Sequence, residues 1–176
     1  MPQPRTMRSS ASLRSRALLI LAAMVAILTL AGCTSGPSAA DEARSALVKL
    51  AKESIRTAQS VVQSSPAQDA AAELLAGGTG VPFWNGVPDA QAPPFGFQAA
   101  AITAARADGD HVIASFVVGA GGHSGSGDLY KTAQAYACFV ATFGADRPPV
   151  IKDGACPATS GFGSGRGFRV HAASLD

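Results

Sequence analysis

The side chains of this sequence that could carry chemistry are three histidines, three cysteines and the polar residues of two glycine-rich runs. Residues 121–128 read GGHSGSGD. Ser124 there sits in an incomplete G-x-S-x-G pattern, because Gly122, His123, Ser124 and Gly125 are followed by Ser126. In a hydrolase, that pattern occupies a strained turn between a buried parallel strand and a helix, which exposes the nucleophile. The surrounding sequence predicts no such turn. A serine nucleophile also needs a histidine base oriented by a carboxylate, and His123 is too near in sequence to reach Ser124 readily. His123, Ser124 and Asp128 are the residues of an enzyme reading; a hairpin loop is the alternative. Residues 161–167 (GFGSGRG) do not match G-x-G-x-x-G and have no P-loop lysine, so they predict a loop and no phosphate cradle. Asp108, Asp110 and His111 cluster in one predicted turn. A metal site needs more converging ligands than that, and so does His123 with Asp128. The sequence predicts no metal site and no cofactor.

The elements that would position these residues divide into helices first and strands afterwards. From Asp41 to Gln63, Ala43, Leu47, Leu50, Ala51, Ser54, Ala58, Val61 and Val62 recur at spacings of three and four, which predicts an amphipathic helix. Ser38 and Asp41 are spaced as a capping pair. A shorter helix is predicted next, with Ser65 as N-cap, Pro66 in its first turn and Gly77 as its stop. Lys49, Lys52 and Arg56 share a face of the first helix. A basic stripe could lean on anionic headgroups, but Glu53 lies beside it, and a solvated face is the simpler expectation.

Residues 98–107 and 111–120 flank Asp108, Gly109 and Asp110, a hairpin signal. A third strand is predicted over residues 130–143. Ala133, Ala135, Ala137, Phe139, Ala141 and Phe143 fall on one face, and Thr132, Gln134, Tyr136, Cys138 and Val140 on the other. The small side chains of the first face allow close approach of the first helix. A fragment near residues 150–152 and a short strand over residues 168–172 complete the pattern, with Phe168, Val170 and Ala172 inward. The predicted fold is α+β: an amphipathic helix and a short second helix on an antiparallel three- to four-stranded meander.

Between helices and strands, residues 78–97 carry Pro82, Pro88, Pro93 and Pro94, which exclude a regular helix or a central strand. Phe83, Trp84, Phe95 and Phe97 lie in this stretch. They are candidates for a recognition loop whose aromatic faces stack on a ligand or partner. The alternative is a connection that folds back over the core.

The charge is uneven. Of 14 basic residues, Arg5, Arg8, Arg14 and Arg16 precede any acid, and 10 basic residues face 12 acidic ones from residue 33 onward. The mature part is mildly acidic, which gives no case for nucleic acid. Residues 17–30 (ALLILAAMVAILTL) are shorter than the roughly 20 residues of a membrane span and fit the apolar core of a signal peptide. Leu30-Ala31-Gly32-Cys33 follows directly. Here the chain resembles a bacterial lipoprotein precursor, whose lipobox has this form. The resemblance covers the leader alone. It implies that Cys33 becomes the acylated N-terminus (palmitate-type chains), that residues 1–32 are a discarded signal peptide, and that the protein sits on the outer face of the cytoplasmic membrane. An ordinary or uncleaved leader is the alternative.

With Cys33 acylated, Cys138 and Cys156 remain in an oxidising compartment and are expected to form a disulfide, with two free buried thiols as the alternative. Residues 33–40 form a short tether, and residues 41–176 a single domain. The function expected is that of a membrane-anchored envelope lipoprotein with a non-catalytic domain that binds an envelope protein or cell-wall ligand. An envelope enzyme and a subunit of a surface assembly are the other readings.

Overall fold

A computed structural model describes residues 36–77, 79–84, 98–157 and 167–175. Helix α1 (Ala39–Ser64) and helix α2 (Ala67–Ala76) precede strands β1 (Gln98–Asp108), β2 (His111–Ser124), β3 (Lys131–Gly144), β4 (Arg147–Asp153) and β5 (Gly167–Arg169). The sheet runs β1-β2-β3-β4 as an antiparallel meander, and both helices pack on one of its faces. The fold is α+β, as the patterning predicts.

Helix α1 begins where a full capping box satisfies its first turn. Asp41 N donates to the Ser38 hydroxyl at 3.2 Å, and Ser38 N donates to the Asp41 carboxylate at 3.3 Å. The stripe Ala43, Leu47, Ala51, Ile55, Ala58 and Val62 is buried against the sheet. Across from it, Ala135, Ala137, Phe139, Ala141 and Phe143 of β3 are all buried, so the alternation predicted for this strand has the expected hand. The rings of Phe116 and Phe139 stack with centroids 5.0 Å apart, and Phe143 meets Phe116 edge-on. Alanine elsewhere on these faces keeps the helix close. At the other end of α1, Gln59 Nε2 donates to the Gly144 carbonyl at 2.9 Å and ties the helix to the β3–β4 turn.

The closest approach is at Gly122 on β2. A Cβ there would overlap the Ala39 carbonyl oxygen and the Ala43 nitrogen. Backbone lies on backbone at this point, so any side chain would push the start of α1 off the sheet.

Helix α2 starts one residue later than predicted. Ser65 is the extended C-cap of α1, as a residue before proline tends to be, and Pro66 is itself non-helical (ψ 148°). Gly77 ends α2 in the left-handed region, as expected (φ 71°). The β1–β2 turn is tight: Asp108 pairs with His111, and Gly109 supplies the positive φ.

The expected last strand departs from a meander. β5 runs parallel to β3 at Gln134, Ala135 and Tyr136, while β4 pairs antiparallel with β3 from Phe139 onward. Two short strands thus divide one edge of β3. Val170 and Ala172 still point into the core, and Arg169 and His171 outward.

The junction is stapled. Cys138 and Cys156 form a disulfide with Cα atoms 5.2 Å apart. Arg169 donates to the Gly154 carbonyl at 2.7 Å. Asp153 accepts from Ala172 N at 2.8 Å and faces His171 Nδ1 at 3.0 Å. By the chain-entropy account, a loop of this length stabilises the fold by ~3 kcal/mol.

Two predictions come from this packing. Gly122→Ala should destabilise the domain by about 1–3 kcal/mol through overpacking, read as a lower urea midpoint. The second concerns acid. The Ala172 amide and His171 hold the Asp153 carboxyl below its ordinary value, and the Ser38 hydroxyl and amide do the same for Asp41. A depressed carboxyl stabilises the fold above its unfolded pKa, and that stabilisation is lost as pH falls through the folded value. Stability should therefore fall below the ordinary value of 3.8, and Asp153→Ala should shallow that fall in urea titrations across this range.

Candidate functional site

The face of the sheet turned away from the helices is partly covered. There Trp84, Ala101, Val117 and Cys138 form a second buried cluster, with Tyr136 and Cys156 packed against it. The segment leading into it is held by backbone pairing with β1: Ile102 N donates to the Pro82 carbonyl at 3.0 Å, and Trp84 N to the Ile102 carbonyl at 2.8 Å. This pairing sends Val81 and Trp84 to the two different buried clusters. Val81 is buried, Trp84 is buried beside the disulfide, and Phe83 is 41% exposed.

Trp84 and Phe83, adjacent in sequence, therefore have opposite environments. Sequence patterning makes both candidates for recognition. The structure leaves the Phe83 ring available, whereas the Trp84 ring covers the disulfide and is 8% exposed. A tryptophan so placed is a packing element first. Phe95 and Phe97 lie outside the described residues. Beside Phe83, Val81 and Pro82 form one wall of an open groove of about 420 Å³, with Leu50, Ser54 and Thr57 of α1 opposite and Ala100 at its end. Its lining mixes apolar side chains with the Glu53 carboxylate and the hydroxyls of Ser54, Thr57 and Thr79.

The enzyme candidates are at the end of β2 that leads into β3. The His123 backbone N–H donates to Glu42 Oε2 at 2.8 Å, and its ring Nδ1 lies 3.8 Å from the same oxygen. Its other face stacks on Tyr130, centroids 5.9 Å apart. The ring contacts of His123 are thus Glu42 and Tyr130, and the fold does not bring Ser124 or Asp128 to them. Residues 121–124 form a regular ladder with β3 rather than a strained elbow. At the β1–β2 turn, Asp108 faces Arg106 at 4.0 Å, both well exposed. No group of three or more His, Cys, Asp or Glu residues converges among the described residues. Lys49, Lys52 and Arg56 are exposed along α1, with Glu53 among them.

Sequence reading passed over Glu42 and the exposed pair Leu129 and Tyr130. A signal for both was present. Glu42 follows the capping Asp41 in the first helical turn, and two large apolar residues interrupt an otherwise glycine, serine and charged loop. Cys33 lies outside the described residues. Among those described, no helix is long and apolar enough to cross a membrane.

The contrast between the adjacent aromatics gives a test. Trp84→Ala should cost about 3–5 kcal/mol, as truncation of a buried aromatic does. Phe83→Ser should cost about 1 kcal/mol or less. Thermal unfolding of the two variants checks this, and equal losses would show that Phe83 is also a packing residue. No family model matches the chain, and no curated protein and no solved structure matches it.

Proposed function

We propose that this protein is a lipid-anchored envelope lipoprotein whose domain binds a partner without catalysis. The observation that carries the reading is Leu30-Ala31-Gly32-Cys33 placed directly after a basic segment and a 14-residue apolar run. Two features of the folded part support it. The capping box begins at Ser38, five residues after Cys33, so the domain starts as soon as a short tether ends. The disulfide suits an exported compartment. Acyl chains contribute ~0.8 kcal/mol per buried CH₂, so more than one gives lasting attachment.

Binding is assigned to the groove between α1 and residues 79–82, next to the exposed Phe83. Among the described residues of the aromatic stretch, this part is paired with β1 and accessible. The fitting partner is an extended segment of an envelope protein or a cell-wall polymer. An enzyme reading has less support: the His123 ring faces the Glu42 carboxylate and Tyr130, and neither Ser124 nor Asp128 is among its contacts.

Intact mass of the protein extracted from membranes tests the anchor. The expected mass is that of residues 33–176 plus acyl groups, less two hydrogens for the disulfide, with the acyl mass lost in Cys33→Ser. An uncut or acyl-free chain would overturn the reading.

A further inference from the structure

The tip of the β2–β3 hairpin carries the most exposed large apolar side chains of the described residues. Leu129 is 76% exposed and Tyr130 56%. They sit side by side between Asp128 and Lys131, at the end of the β2–β3 ribbon, whose strands stay paired to Ser124 and Lys131. A short turn, Gly127–Leu129, closes the ribbon and presents the pair outward.

This tip stands beside the start of the folded chain. Glu42, in the first turn of α1, binds the His123 backbone, and the His123 ring stacks on Tyr130. The Ala39 carbonyl lies against Gly122 of the same ribbon. Ser38 is the N-cap, and Cys33 is five residues upstream, a reach of at most about 18 Å when fully extended.

We propose that the Leu129–Tyr130 tip is a second membrane contact, seated in the headgroup layer of the bilayer that holds the acylated Cys33. The inference rests on the lipoprotein reading above. The occupant follows from the geometry. A five-residue tether holds this end of the domain close to the bilayer. Leucine buries aliphatic surface there, tyrosine places its ring at the headgroup level, and Lys131 can pair with phosphate. The basic residues of α1 offer no such mixture, since Lys49, Lys52 and Arg56 are interrupted by Glu53 and have no exposed large apolar neighbour among them. One acyl-bearing residue lets a domain swivel. A tip contact close to it sets orientation and turns the β1–β2 and β3–β4 turns away from the membrane.

The test uses the acylated full-length product, reconstituted in vesicles of phosphatidylethanolamine and phosphatidylglycerol with brominated acyl chains. Tyr130→Trp places a probe at the tip. Val150→Trp places one at an exposed site on β4, toward the other end of the sheet. Trp84 is a common background. The tip emission should fall roughly twofold, as for a side chain at the headgroup–acyl boundary, with little change for Val150→Trp. Leu129→Asp added to Tyr130→Trp should relieve the quenching. The mass of each preparation is measured first. An acyl-free mass overturns the anchor and this inference together. An acylated protein whose two probes are quenched equally overturns the tip contact alone.

Discussion

Helix α1 can lie on this sheet because both surfaces are made of small residues. Ala43, Ala51 and Ala58 face a sheet whose central strands present Ala114, Ala120, Gly122, Ala135, Ala137 and Ala141. Dispersion contacts weaken steeply with separation, so an interface of small side chains is stable only when the backbones come close. That closeness dictates the rest. It brings Glu42 to the His123 amide, sets the start of α1 beside the β2–β3 ribbon, and gathers the largest buried side chains at Phe116, Phe139 and Phe143. The opposite face is left to be covered by something other than a helix.

That cover is a disulfide with a tryptophan over it. Cys138 is at the place where β3 changes partners, from the parallel β5 to the antiparallel β4. Regular pairing is interrupted at such a place. Covalent closure, Arg169 on Gly154 and Asp153 on Ala172 replace the missing ladder. Trp84 then removes the disulfide's surroundings from water. The site of proposed binding accompanies this arrangement, because the pairing that turns Trp84 to the disulfide turns the adjacent Phe83 to the opposite side.

Local patterns were legible in the residues, and long-range pairings were not. The capping box, the αL stop at Gly77, the tight turn at Gly109 and the two faces of β3 all depend on side chains within a few positions of one another. The direction of β5 depends on where the chain goes between Cys156 and Gly167, and no local period encodes that. Over residues 79–84, the described part of the proline-rich aromatic stretch, no regular helix or strand forms. The prolines could not separate Phe83 from Trp84, because their burial is decided by one bridge to Ile102 in a distant strand. The odd count of cysteines led to the disulfide partners, but their role at a strand junction required the topology. At the hairpin, periodicity described the strands and gave no reason to notice Leu129 and Tyr130.

The divided edge of β3 has a consequence for crowding. Proteins tethered to a surface meet one another at high local concentration and with restricted orientations, which favours edge-to-edge strand addition. Here the outer edge is broken into two short strands of opposite direction. One of them carries Pro148 and Pro149, which cannot donate to an incoming strand. A second copy would find no long, uniform template along this side. The same irregularity that accompanies a covalent staple thus leaves this edge a poor template for an added strand, which would suit the membrane display proposed above.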